Sequence, residues 1–259
     1  MRQILDGSPA WLLVLACFAL FAAICAVARH LVRARTSQER RDELADYAGK
    51  LLGPLGATFA FLVGFAITMT WSALSAGQDA VDLQASSAQQ VSWSSSNIAD
   101  QAGAAQVQAK LVAYLEQATT SDVPALAEGE FTVLPSATSF DELQDAIHTV
   151  AYSGGNSVPE ASGMVSAAAS LTAARSKMVA VAQRSLPPLL IVLILLSGAL
   201  LAVGMGISAA TVNKPTLMYA WAFVAGLSLA MVLLLDFPFG GAIEVSLAPL
   251  QSVQQSIAS

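Results

Sequence analysis

Few side chains in this sequence are equipped to make or break bonds. The two histidines stand apart: His30 in a basic juxtamembrane stretch, His148 alone on a short helical segment. No Gly-rich phosphate loop, no H-E-x-x-H and no Cys/His cluster of metal spacing occurs. Cys17 and Cys25 share one apolar run, too far apart along a predicted helix for a disulfide. The serines around Trp93 (Ser92, Ser94, Ser95 and Ser96) have no base near them in sequence. No catalytic site is expected, and no cofactor or metal.

The chemistry these residues can do is to hold charge and pass ions. Thr68, Thr70 and Ser72 place hydroxyls towards one end of an apolar helix, and Phe61, Phe65 and Met69 form a second stripe on it. A ring of such apolar residues in an oligomer gates by dewetting; lipid contact or core packing accounts for the same stripe. Asp236 ends another apolar run, where its charge opposes the helix dipole and lies near hydrocarbon. It is expected to contact Arg184, on the same membrane face, or the backbone amides of the turn after Pro238. The alternative is an interfacial acid held by water.

Four elements must position these groups. The chain has 259 residues, 55% of them hydrophobic and 12% charged, against about 25% charged in soluble domains. Its net charge of −6 argues against nucleic acid as a partner. Charge-free runs extend from Gly7 to Ala28, Leu51 to Gln78, Ser185 to Asn213 and Pro215 to Leu235. Each holds the roughly 20 apolar residues that cross a bilayer as a helix. The first run is not read as a cleaved signal, because its basic cluster follows the core (Arg29, Arg33, Arg35, Arg40, Arg41) and the core is too long. The Val14–Cys17 segment faintly resembles a lipoprotein box, but the run stays apolar past Cys17.

Lys and Arg near span ends set orientation. The loop from Arg29 to Lys50 carries six of them, and the loop between spans three and four has Lys214. Both loops are therefore expected in the cytoplasm of a bacterial inner membrane, with both termini and the insert between spans two and three outside. The expected divisions are 1–75 (spans one and two), 76–185 (the insert), 186–236 (spans three and four) and 237–259 (an extracytoplasmic tail).

The fold class expected is all-α: four transmembrane helices, with spans two and three extended into an antiparallel helical hairpin. Between Gln78 and Ala118 there is no proline. Ala88, Val91, Ser95, Ile98, Ala102, Ala105, Ala109 and Val112 alternate spacings of three and four, the pattern of a heptad seam. Leu171, Ala174, Met178 and Val181 stripe the return limb, which Ser157 and Glu160 open with capping-box spacing. Ser121 to Ser139, with Pro124 and Pro135, reads as a loop. A short helix follows, with Ser139 and Glu142 as a second capping box and Gly154 as its terminator. A flexible Ala/Ser-rich linker would not show these capped, phased patterns.

Inside the bilayer, helices associate where small residues let backbones approach. Gly56, Ala60, Gly64, Thr68 and Ser72 recur on span two, Gly198, Ala202 and Gly206 on span three, and Ala222, Gly226 and Ala230 on span four. These stripes fit packing within one subunit; on span two they also fit a pore lining.

The segment Phe59-Ala-Phe-Leu-Val-Gly-Phe65, then Trp71, and the ending Leu235-Asp236-x-Pro-Phe-x-Gly241 followed by Ile243-x-Val-Ser and Pro249-Leu250 resemble a bacterial bestrophin-like family of four-span membrane proteins. The resemblance implies kinship with bestrophins, pentameric anion channels whose second helix lines the pore with an aromatic constriction. Phe61 and Phe65 match that ring by pattern. Bestrophins keep the middle region and both termini in the cytosol, whereas the charge bias here places them outside. The insert's eleven acids against four bases would favour cations at an outer vestibule. Two functions compete: a homo-oligomeric ion channel, and a non-conducting scaffold or envelope sensor that binds partners through the outer hairpin.

Overall fold

The computed structural model describes residues 10–153, 156–236, 239–240 and 243–258. The described residues are helical, with helices α1 (Ala10–Arg35), α2 (Gln38–Ser96), α3 (Gln101–Gln117), α4 (Val123–Glu128), α5 (Ala137–Ala151), α6 (Val158–Ala182), α7 (Pro188–Ser208), α8 (Thr216–Leu235) and α9 (Ala248–Ala258). Spans one to four are α1, part of α2, α7 and α8, each long and apolar enough to cross a membrane.

The chain forms two compact units. One comprises the described residues up to Ser72 together with Ser185–Asp236. Its core gathers Cys17, Phe21 and Cys25 of α1, Phe59, Val63 and Ala66 of α2, Ile194 and Ala202 of α7, and Ala222, Leu229 and Ala230 of α8. The small residues of α7 and α8 sit where helices touch. A Cβ on Gly226 would lie 2.6 Å from the Phe18 nitrogen, and one on Gly198 would lie 2.8 Å from the Phe21 ring. On Gly206 it would overlap the Cys25 carbonyl oxygen. Ala202, Ala222 and Ala230 are fully buried. Without a hydrophobic push between helices in lipid, this close contact is what dispersion needs. The Phe21 ring stands edge-on to Phe59 and Trp221, with centroids 6.2 and 5.9 Å away. Such pairs are worth about 0.5–1.5 kcal/mol beyond area burial.

The connection between α1 and α2 departs from the expected basic loop: only Thr36 and Ser37 separate the helices. The intervening residues are strong helix formers, and Lys50 pairs with Asp46 one turn back at 2.6 Å.

The second unit holds Ala73–Arg184 and the described residues after Asp236. Further helices pack into it, α3 on α5, α5 on α6 and α9 on α3. The tail helix belongs to it, since Leu250 and Val253 are buried in this unit's core. Span two runs unbroken to Ser96. The expected seam does not continue past that point. Ala88, Val91, Ser95 and Ile98 are buried, but Ala102, Ala105 and Ala109 are exposed. The chain breaks before Gln101, where Asp100 Oδ1 accepts the Gly103 N–H at 2.9 Å and caps a new helix. The phase resets, and α3 buries Gly103, Ala104, Val107, Leu111, Tyr114 and Leu115 instead.

The stretch 121–139 is not all loop: a π-turn at Ala118–Asp122 leads into α4, whose first turn tolerates Pro124, and Gly129 ends it at φ 90°. Ser139 is no cap, because α5 begins at Ala137 and its hydroxyl bonds Gln117 and the Ser136 carbonyl. Glu142 pairs with Lys110 at 2.7 Å. At α6 the capping box forms, and the Ser157 N–H donates to Glu160 Oε2 at 2.7 Å. That bond, and the Ser157 hydroxyl, hold the Glu160 carboxyl below its ordinary range. Gly154 lies outside the described residues. The return limb does not run into span three: α6 ends at Ala182 and α7 starts at Pro188, behind Pro187.

Beneath α3 lies a buried polar chain absent from the sequence reading. The Ser136 N–H donates to Asp122 Oδ1 at 2.8 Å, and its hydroxyl donates to the other carboxylate oxygen. Arg175 Nη2 donates to the Ser136 hydroxyl at 3.1 Å, and its guanidinium lies 4.7 Å from the centre of the Phe140 ring. Phe140 packs on Tyr114, whose hydroxyl meets Gln84 Nε2 at 2.6 Å. Burial pushes Tyr114 well above the usual phenol range.

Candidate functional site

The face of α2 inside the first unit divides cleanly. Phe59, Val63, Ala66 and Thr70 are buried at spacings of three and four. The opposite side carries Ala60, Phe61, Gly64, Phe65, Thr68, Trp71 and Ser72, all exposed in the single chain. Phe61 is 72% exposed and Phe65 49%. Their rings stack with centroids 6.5 Å apart and planes 10° from parallel. Gly56 is half-buried, and neither it nor Gly64 has an atom within 4 Å of where a Cβ would stand, among the described residues. The small-residue stripes are thus of two kinds. Those of α7 and α8 are filled by α1, while that of α2 faces outward with two stacked rings beside it.

The hydroxyls on this face are partly committed. Thr68 Oγ1 donates to the Gly64 carbonyl at 2.9 Å, which uses its proton and not its lone pairs. Thr70 is buried and bonds the Ala66 and Ile67 carbonyls. Met69 packs half-buried against the helix core, so it turns away from Phe61 and Phe65.

Asp236 caps the end of α8, half-buried. Its Oδ1 accepts the Leu186 N–H at 2.9 Å. A charge-assisted bond from a backbone donor offsets the unfavourable helix-end position. The donor lies two residues after Arg184, whose side chain is exposed. Phe237 and Pro238 lie outside the described residues.

The sequence reading missed what Arg29 and Arg33 do. Arg29 Nε donates to the Ala209 carbonyl at 3.1 Å and its Nη2 to that of Val212 at 2.9 Å. Arg33 donates to the Ala210 and Val212 carbonyls at 2.8 and 2.7 Å. These two side chains tie α1 to the carbonyls of the short turn, residues 209–212, that follows α7. The signal was available: Cys17, Phe21, Cys25, Arg29 and Arg33 recur every four residues. The arginines continue the packed face of α1 rather than its solvent face.

Residues 19–250 match the Bestrophin-like domain. The chain belongs to the bestrophin-like family. Solved structures agree on the fold of this bestrophin-like chain. A mutated bacterial bestrophin homologue from Klebsiella pneumoniae superposes with a TM-score of 0.72 at 13% identity, covering 93% of this chain and 97% of that one. A form of the Klebsiella pneumoniae homologue solved by Zn-SAD phasing gives 0.71 at 12%, covering 96% and 97%. A structure described only as a membrane protein gives 0.71 at 14%, covering 94% and 97%. No curated protein matches the chain. The bestrophin-like fold therefore extends across both the spans and the insert, although the identity is low.

Proposed function

We propose that this chain is the protomer of a homo-oligomeric ion channel in a bacterial inner membrane, with α2 facing the conduction axis. One observation carries the reading: α2 buries one face in its own unit and leaves Gly64, Thr68 and Ser72, with Phe61 and Phe65, uncovered. Four helices rarely enclose a path by themselves, so the uncovered face needs further copies around it. Phe61 and Phe65 then form the apolar constriction, and Thr68 offers oxygen lone pairs to a passing cation. Family membership supports a channel. A pentamer follows from resemblance to bestrophins alone.

The basic residues at the α1–α2 and α7–α8 turns put those turns in the cytoplasm. The insert and both termini are then outside, and the insert's excess of acids concentrates cations at the entrance. Purification in mild detergent with a mass measurement tests the assembly; a strict monomer removes the channel. Planar-bilayer recordings then test conduction. Phe65→Ala is expected to raise open conductance, and a reversal potential following the anion gradient would refute the cation preference. Maleimide labelling of Ser162→Cys on intact cells tests the sidedness. A shielded cysteine would put the insert in the cytosol and make an anion pore the better reading.

A further inference from the structure

We propose that the turn between α7 and α8 binds the headgroup of an anionic phospholipid. A pocket of about 250 Å³ opens there, with Met205, Ser208, Val212, Lys214, Leu217 and Met218 among its walls. Its lining is mostly apolar, and among these side chains Leu217 is 81% exposed and Val212 50% exposed. These side chains lie where two spans end, so they meet acyl chains rather than bulk water.

The charge on this turn has one sign. The Lys214 side chain is exposed and has no hydrogen-bond or ion-pair partner among the described residues. Arg29 and Arg33 are drawn onto the same turn by the Ala209, Ala210 and Val212 carbonyls. Those carbonyls bear no net charge, and among the described residues neither arginine has a carboxylate within ion-pair distance. Three cations therefore share one turn at the bilayer boundary, where lipid phosphates lie. Lysine serves phosphate as a point charge and needs no fixed fork geometry. The exposed apolar side chains of Val212 and Leu217 are what select a lipid over a free phosphate, and basic pockets at span ends are suited to acidic headgroups.

The test uses the full-length protein in neutral detergent. Its thermal midpoint is followed while short-chain phosphatidylglycerol, the matching phosphatidylcholine or inorganic phosphate is added. Phosphatidylglycerol is expected to raise the midpoint saturably, and the other two are not. Lys214→Gln is expected to weaken the apparent affinity about five-fold, one lysine's share at an anionic surface, and Lys214→Arg to restore it. Lys214 makes no side-chain bond within the fold, so the ligand-free midpoints of both variants should equal that of the wild type. An equal rise with phosphatidylcholine would show that headgroup charge is irrelevant. An equal rise with inorganic phosphate would show a free-anion site. No rise at all, or an unchanged affinity in Lys214→Gln, would also overturn the proposal.

Discussion

Two glycine-to-alanine changes on different helices should have opposite effects. At Gly226 the new Cβ would stand 2.6 Å from the Phe18 nitrogen and 2.7 Å from its Cα. The shortfall from an optimal contact of about 3.5 Å is roughly 1 Å. Both obstacles are backbone atoms, with no rotamer to retreat into, so α1 and α8 must part. Overpacking of this kind costs about 3 kcal/mol at the upper end. Alanine returns about 1 kcal/mol of helix propensity, leaving a net loss of about 2 kcal/mol. At Gly64 no atom lies within 4 Å of the same position, so only the propensity gain of about 1 kcal/mol applies. Unfolding in mixed micelles, followed by tryptophan fluorescence under conditions that keep protomers apart, should separate the variants by about 3 kcal/mol, the sum of those effects. A Gly226→Ala protein as stable as the wild type would refute the close approach of α1 and α8. A loss in Gly64→Ala equal to that in Gly226→Ala would show that the α2 face is packed within a single chain.

Arg33→Gln removes the charged donor to the Ala210 and Val212 carbonyls; a loss of roughly 2 kcal/mol is expected in the same assay, near the value of one charge-assisted bond. Asp122→Ala leaves the buried Ser136 N–H and hydroxyl without their acceptor, which should cost about 1–3 kcal/mol and loosen α4 in hydrogen exchange. Glu160 has its carboxyl pKa lowered from 4.5 by the Ser157 bonds, so its contribution is complete above that ordinary value and fades as pH falls through the lowered one. Protection of the Ser157 amide should exceed that in Glu160→Ala at neutral pH and match it in acid; a pH-independent difference would contradict the capping role.

The spans were legible because charge-free runs of this length have one outcome in a polytopic chain: each of the four runs falls on one helix, closely for α7 and α8, while α1 continues past its run and α2 extends well beyond its run at both ends. The continuous rise of α2 out of its span was legible too, since nothing between Gln78 and Ser96 breaks a helix. What failed was phase. A small-residue pattern cannot report a cap three turns later, and Asp100 reset the face that α3 buries. The stripe from Leu171 to Val181 likewise carried no sign of where α6 stops, although the double proline before Leu189 keeps that helix from running on into span three. On the candidate site, periodicity marked all three small-residue stripes alike. Only packing distinguished the two that α1 fills from the one on α2 that stays open. The role of Arg29 and Arg33 was hidden by their sign, which invited a topological reading where a structural one also applied.

The pairing of α1 with α7 and α8 sets an order of events during synthesis. The α1 helix meets α7 and α8 only when the last quarter of the chain leaves the ribosome, so until then it waits in lipid with Phe21 lacking Trp221 and with Arg29 and Arg33 lacking their carbonyls. A nascent chain halted after α2 cannot finish that face. Truncations there should be short-lived in a pulse-chase experiment, and supplying residues 185–259 as a separate polypeptide should lengthen their lifetime.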